Sequence, residues 1–122
     1  MKKEKNEIIE RTFNYALRII KLYRELEKDS VGKIIGNQIL RSGTGVGANV
    51  HEAQGAQSKP DFIAKMSIAH KEAYESDYWI RLIMAAELIP VHKLQNLADE
   101  TEQIVKMLSS ILITSKKRRH QS

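Results

Sequence analysis

The stretch from Ser30 to Ser58 carries only three formal charges, on Lys33, Arg41 and Glu52. It has helical periodicity, yet the side that would face water is filled with Gly, Ala, Ser, Thr, Gln and Asn. A helix that is apolar or small on every side is usually buried on every side. Because a bundle of 122 residues is too small to surround one helix, we expect a second subunit to cover the remaining face.

The length of the chain predicts a single domain over residues 1–122. The absence of cysteine excludes disulfides and thiolate metal sites. No apolar run approaches the roughly 18–20 residues that cross a bilayer, and no uninterrupted apolar segment follows residues 1–5. We therefore expect a cytoplasmic protein.

The net charge of +5 is concentrated in residues 116–119, which supply four of the positive charges. The rest of the chain is nearly neutral, so the basic character belongs to a C-terminal tail, residues 116–122. Such a tail can bind phosphates with release of counterions. The alternative is a frayed, solvated C-terminus.

Apolar residues at spacings of three and four predict four helices, and no segment alternates as a strand does. Capping and proline signals at Asp29, Ser58, Pro60 and Pro90 separate them. The predicted helices cover residues 6–27, 31–56, 59–88 and 91–115. Their lengths and short connections predict an all-α, antiparallel up-down-up-down four-helix bundle.

The first predicted helix has a broad apolar face. The core stripe consists of Ile8, Thr12, Ala16, Ile19, Tyr23 and Leu26, and Ile9, Phe13, Ile20 and Leu22 widen it. We expect this whole face to contribute to the core.

Glycines are frequent in the second predicted helix, where each costs roughly 1 kcal/mol relative to alanine. Gly36, Gly43 and Gly47 fall on one stripe, so close approach of another helix would offset the cost. The alternative is a break between Gly43 and Gly47 that leaves two shorter helices.

No catalytic or cofactor-binding pattern is present. The glycines from Gly43 to Gly47 follow a helix and lack both the dinucleotide-binding spacing and the P-loop Lys-Ser/Thr ending. No Glu precedes a His by three residues, as a di-iron bundle requires. We expect a protein without enzymatic activity, metal or cofactor.

Two charged residues of the second helix, Arg41 and Glu52, are eleven residues apart and share a face. We expect them to form interfacial ionic contacts that fix the register of an assembly, the alternative being two ordinary exposed charges. If the protein binds nucleic acid, basic residues of the first helix and of the tail would contact it. These residues are Arg11, Arg18, Lys21, Arg24, Lys116, Lys117, Arg118 and Arg119.

A family pattern runs through most of the chain. It comprises Arg41-Ser42, Asn49-Val50-His51-Glu52, Lys59-Pro60-Asp61-Phe62, Ala69 and Glu75. In these residues the chain resembles the four-helix bundle proteins encoded in intervening sequences of bacterial 23S rRNA genes. It departs from the pattern at Thr44-Gly45 and at Gln54-Gly55-Ala56.

The resemblance implies a small bundle that assembles into a ring, commonly a pentamer. From the pattern and from the glycine stripe together, the residues we expect to be structural or at an oligomer interface are Arg41, Gly43, Gly47, Asn49, Glu52, Phe62 and Glu75. A related branch, the accessory variability determinant of diversity-generating retroelements, binds nucleic acid and a reverse transcriptase. Our leading hypothesis is therefore a homo-oligomeric bundle that binds RNA or DNA, and the alternative is an adaptor that presents a ring to a polymerase-type partner.

Overall fold

The computed structural model describes the backbone of residues 2–121 and the side chains of residue 3 and residues 6–118. It contains four α-helices: α1 (Lys2–Leu26), α2 (Ser30–Gln54), α3 (Lys59–Ala85) and α4 (Val91–Gln121). No strand occurs in the described part of the chain. The predicted all-α four-helix bundle is confirmed.

Each helix packs against the next one in the chain, and α4 returns to pack against α1. In the α1–α2 pair, Gly36 lies against Tyr23, and Gly47 lies against Thr12. In the α1–α4 pair, Arg11 bonds to Glu100, and Arg18 bonds to Asn96. In both pairs the residue number rises along one helix while it falls along the other, so the two helices are antiparallel.

The helix starts follow the caps that the sequence contains. The Asp29 carboxylate accepts a hydrogen bond of 2.8 Å from the backbone N–H of Gly32, which caps α2. The Ser58 hydroxyl accepts one of 3.2 Å from the N–H of Asp61, which caps α3. Helix α2 continues through Gly43 and Gly47 without interruption, so the alternative of a break there is wrong.

Helix α3 ends at Ala85, three residues before the predicted end. The turn that follows contains Glu87 with a φ of 58°, in the left-handed region. The N–H of Leu88 donates to the carbonyl of Ile83 at 3.1 Å. This hydrogen bond, from Leu88 back to Ile83, belongs to a Schellman motif, in which the C′ residue is left-handed. Glu87 takes that position here, which glycine usually occupies.

Helix α4 extends beyond its predicted end at residue 115 and includes the basic segment. Its 31 residues make it the longest of the four described helices, about 46 Å at 1.5 Å per residue. Lys116, Lys117 and Arg118 are exposed on it, and the side chain of Arg119 lies outside the described residues. The expectation of a frayed tail is therefore wrong for residues 116–118, because lysine and arginine sustain a helix well.

The core draws on all four helices, but the face that α1 buries is narrower than predicted. The buried residues of α1 are Ile8, Thr12, Tyr15, Ile19, Leu22 and Leu26. Phe13 is 65% exposed, Leu17 48% and Ile20 37%. One side of α1 therefore keeps an apolar surface in contact with solvent.

A polar layer crosses the core with one residue from each helix: Tyr15, Ser42, Ser76 and Thr101, all buried. The Ser76 hydroxyl donates its proton to the carbonyl of Glu72 at 2.9 Å. The Ser42 hydroxyl, 2.9 Å from that of Ser76, is therefore the donor in the bond between the two serines. Burial raises the pKa of Tyr15 to about 12, although hydrogen bonds to Thr101 and Ser76 act in the opposite direction. Buried polar groups with partners favour one packing register over others.

Among the described residues, none of the helices combines the length and apolarity needed to span a membrane.

Candidate interfaces on the bundle surface

The glycines of α2 make their close contacts with α1 of the same protomer. A Cβ atom on Gly43 would lie 2.7 Å from Cγ1 of Ile19, and one on Gly47 would lie 3.0 Å from the carbonyl oxygen of Thr12. The predicted close helix approach at this stripe is made within the protomer, by α1. Gly43 is buried within the protomer, and Gly47 is half-buried.

The outer side of α2 forms an apolar groove with α1. The groove has a volume of about 480 Å³ and is lined by Ile9, Phe13, Ala16, Thr44, Gly47, Ala48, His51 and Glu52. Glu52 supplies its one formal charge. Thr44, Gly47 and Ala48 give the α2 side of the groove small residues, and the largely exposed Phe13 lines its α1 side. This groove is the charge-poor surface that the sequence predicts should be covered.

The opposite edge of α2 carries an ionic cluster with α3. Arg41 donates to Glu72 at 3.3 Å, forms a second ion pair with Glu75 and donates to Gln38 at 3.4 Å. The indole N–H of Trp79 donates to the same Glu75 carboxylate at 2.9 Å. Arg41 keeps half of its side chain exposed.

Arg41 and Glu52 are not brought together. The carboxylate partners of Arg41 lie on α3, whereas Glu52 lines the groove beside α1. Within the protomer, Arg41 therefore pairs with α3, and its expected role at an interface between subunits stays a prediction. The cluster nevertheless lies at the surface, on the side shared by α2 and α3.

Two further residues of the family pattern have local structural roles. The side-chain amide of Asn49 donates to the carbonyl of Gly45 at 2.8 Å, one turn back along α2. Phe62 is 8% exposed and belongs to the core cluster. Both stabilise the protomer itself.

The predicted nucleic-acid residues of α1 divide into two groups. Arg11 bonds to Glu100 through Nε at 3.1 Å and to Gln103 at 2.7 Å, and the Glu100 bond raises the pKa of its guanidinium. Arg18 donates to Asn96 at 2.8 Å. These two arginines join α1 to α4, while Lys21 and Arg24 are exposed.

Exposed cations collect at the end of the bundle where α1 begins and α4 ends. Lys3, Lys59, Lys116, Lys117 and Arg118 are all exposed there. The pKa of His70 in α3 is lowered, mainly by the burial of its own ring and in addition by the positive charge of Lys116. The basic turn of α4 therefore runs beside α3.

Within the described residues, no three His, Asp or Glu side chains come together in a way that could hold a metal ion. The carboxylates of the Arg41 cluster are instead occupied by Arg41 and Trp79.

The relationship of the chain to known proteins is decided by a match over most of its length. Residues 4–110 match the 23S rRNA-intervening sequence protein family. The chain belongs to this family. It is also similar to a crystal structure of a protein of unknown function from the S23 ribosomal protein family of Bacteroides thetaiotaomicron. That likeness has 38% sequence identity and a TM-score of 0.85, and it covers 89% of this chain and 97% of the other.

No curated protein matches the chain. Membership of the family of 23S rRNA-intervening sequence proteins thus accounts for the fold. A proposal for the function has to rest on the surface features described above.

The contacts that sequence reasoning missed are those between distant helices. The pairing of Arg11 with Glu100 and that of Tyr15 with Thr101 join positions almost ninety residues apart. Tyr15 could have been found, because Ile8, Thr12, Tyr15, Ile19, Leu22 and Leu26 repeat at spacings of four and three. No comparable signal marks the Arg11 pair.

Proposed function

We propose that this protein is a non-enzymatic homo-oligomer of four-helix bundles, arranged as a ring, that binds RNA or DNA through the basic end of each bundle. The observation that carries the proposal is the apolar groove between α1 and α2. Phe13, which is 65% exposed, lines a groove of about 480 Å³ that contains a single formal charge, and Ile20 of the same helix is 37% exposed. Continuous apolar surface of this kind marks interaction sites in soluble proteins.

The nucleic-acid part of the proposal is supported by where the free cations lie. Lys116, Lys117 and Arg118 are exposed on a regular helix, so their spacing is fixed rather than that of a flexible tail. The paired Arg11 and Arg18 are left out of the proposed surface, because carboxylate and amide groups of α4 already occupy them. Phosphate contacts of lysine and arginine give affinity that falls steeply with salt.

The test is molar mass in solution by light scattering, with and without a single-stranded RNA, at two salt concentrations. We expect an oligomer in the absence of RNA at both salt concentrations, because apolar contacts are little affected by salt. We expect RNA binding that weakens as salt rises, by a slope of roughly 0.7 per phosphate contact on a log–log plot.

A matched pair of variants separates the basic end from general charge. The triple variant Lys116→Gln, Lys117→Gln, Arg118→Gln should lose RNA affinity and reduce the salt slope. The control, Lys28→Gln, Lys33→Gln, Lys93→Gln, removes the same charge from exposed positions at the other end of the bundle. Equal losses for both variants would contradict a local site, and a monomer at micromolar concentration would contradict the assembly.

The second candidate is an adaptor that presents the ring to a polymerase-type enzyme. It is favoured by the intramolecular pairing of Arg11 and Arg18, which takes two of the four candidate cations of α1 out of a nucleic-acid surface. An oligomer that binds a purified polymerase tightly, with no salt-dependent affinity for RNA, would replace the first proposal with this one.

A further inference from the structure

Besides the groove, the protomer exposes a second apolar position next to α2. Ile68 of α3 is 46% exposed. It precedes Glu72 by four residues and Glu75 by seven, so the three share one face of α3. Because Glu72 and Glu75 both reach Arg41, this face lies on the α2–α3 side of the bundle. The groove and Ile68 therefore flank the same helix from two different sides.

The groove and Ile68 also lie at the same level along the bundle. Gly47 lies against Thr12 of α1, and Gly45 lies against Glu72 of α3. Ser42 meets Ser76 whereas Gly45 meets Glu72, so α2 and α3 are antiparallel. Three residues forward from Gly45 therefore corresponds to three residues back from Glu72. Ala48, on the α2 side of the groove, is then level with Ala69, next to Ile68.

The charges at this level are complementary. By the same register, Glu52 lies level with Lys65, since each is seven residues from the Gly45–Glu72 contact. Lys65 has a side chain that is 32% exposed and pairs with Asp61 at 3.5 Å. The Arg41 cluster further along has two carboxylates for one guanidinium, but Glu72 lies seven residues, about 10 Å, from this level. In a second copy placed against the groove at equal height, the charge opposite Glu52 is therefore the cation Lys65.

From these relationships we propose that the groove between α1 and α2 of one copy receives the α2–α3 side of the next copy, with Ile68 inserted over Ala48. This inference rests on the proposed homo-oligomer and specifies its contact. A contact between two different surfaces is heterologous, and repeating it generates either a ring or an open helical array. For bundles packed with parallel axes, equal height of the two surfaces leaves no translation along the axis, and the repeated contact gives a ring rather than a helical array.

The position of the two surfaces on neighbouring sides of the bundle keeps the ring small. Neighbouring sides of a square bundle face directions roughly 90° apart. Successive copies are then turned by a large angle, and a few copies complete the circle. Surfaces on opposite sides would instead produce a straight row.

Paired cysteines test the contact directly, because the chain has no cysteine of its own. The variant Ala48→Cys, Ile68→Cys places one thiol on each proposed surface, both at exposed positions. Under oxidation, or with a short bismaleimide, it should give a ladder of covalent oligomers on a denaturing gel that ends at the size of the ring. A mixture of the two single variants should give dimers only. The control, Ala48→Cys with Lys106→Cys on α4, should give no ladder.

The outcomes distinguish this inference from the proposed function. If the wild-type protein is an oligomer but the cysteine pair cross-links no better than the control, the contact is overturned and the assembly stands. Dimers formed by Ala48→Cys alone would show a symmetric contact and also overturn it. A monomeric wild-type protein would overturn both.

A second variant covers the case in which the cysteines perturb assembly. Ile68→Glu places a charge at the side chain that is proposed to insert into the groove, whereas Lys106→Glu places a negative charge on α4. The first should lower the molar mass of the wild-type oligomer and the second should not. An unchanged molar mass for Ile68→Glu would overturn the contact.

Discussion

The hydroxyl of Tyr15 in α1 lies 2.8 Å from the hydroxyl of Thr101 in α4, at the centre of the bundle. Thr101 donates its own proton to the carbonyl of Leu97 at 2.8 Å, so Tyr15 is the donor in the pair. This bond joins α4 to α1, the pair of helices that closes the bundle. It also places an ionisable group where it is 1% exposed.

Stability should therefore fall at high pH through Tyr15. Burial raises the pKa of Tyr15 from 10 to about 12 in the folded protein. The folded state holds the Tyr15 proton more tightly than the unfolded state does, so this proton stabilises the fold fully below pH 10. The stabilisation, about 2–3 kcal/mol, is lost as pH rises to 12. Urea unfolding of the wild type and of Tyr15→Phe at pH 8 to 12 measures it. The free energy of unfolding of the wild type should fall relative to that of Tyr15→Phe as pH rises from 10 to 12. The control Tyr74→Phe, at an exposed position, should show the same pH dependence as the wild type.

Two glycines of α2, only two residues apart, should respond oppositely to alanine. In Gly43→Ala the new methyl would lie 2.7 Å from Cγ1 of Ile19, so α1 and α2 must separate and stability should fall. In Gly45→Ala the nearest atom is a Glu72 carboxylate oxygen at 3.3 Å, a contact that a shift of a few tenths of an ångström relieves, so the gain in helix propensity, about 1 kcal/mol, should dominate. Thermal unfolding of both variants compares them. Stabilisation by Gly43→Ala would show that α1 and α2 are further apart than described.

The bond between Arg11 and Glu100 should contribute to stability rather than to nucleic-acid binding. Both side chains are about a quarter exposed or less, so Arg11→Gln should cost about 1 kcal/mol after allowance for screening. Arg81→Gln removes a guanidinium that is 69% exposed and pairs with Asp77, and should cost less. Chemical denaturation gives both values, and a double variant with Glu100→Gln gives the coupling. A loss of RNA affinity in stable Arg11→Gln protein would return Arg11 to the binding surface.

Trp79 provides a spectroscopic report on the Arg41 cluster, because it is the only tryptophan in the chain. Its indole N–H donates to Glu75, which also binds Arg41. Glu75→Gln removes the charge from this acceptor and should shift the tryptophan emission maximum. Glu27→Gln, at an exposed position after α1, should leave the emission unchanged. Identical spectra for all three proteins would contradict the bond.

Glu87 holds a conformation that favours glycine. Its φ of 58° lies where a side chain costs roughly 1 kcal/mol or more relative to glycine. Glu87→Gly should therefore raise the melting temperature, and Glu87→Val should lower it, because a branched side chain is hindered most. Differential scanning calorimetry measures both shifts, and a lower melting temperature for Glu87→Gly would refute the left-handed turn.

The sequence predicts the four helices well, because their caps and apolar periods are local signals. Asp29 and Ser58 cap the helices that follow them, as expected. The end of α4 was missed, because periodicity stops where the helix leaves the core while helix propensity does not.

The orientation of each face was harder to predict than the existence of each helix. Gly43 and Gly47 indicate close packing, but a single sequence does not say whether the neighbour is α1 or another subunit. Phe13 and Ile20 count as core residues by hydrophobicity alone, and only the position of α2 shows that they stay exposed. The partners of Arg41 were missed for the same reason, since α3 places Glu72 and Glu75 within its reach.

The collection of Lys116, Lys117 and Arg118 at one end of the bundle has a consequence for affinity. A cyclic assembly about an axis parallel to the bundles would repeat this end on a single rim. Each set of three cations would hold a polyanion weakly, but a strand long enough to touch several sets would gain avidity from the high effective concentration of the next one. Short and long oligonucleotides of the same composition should then differ in affinity by far more than their lengths do.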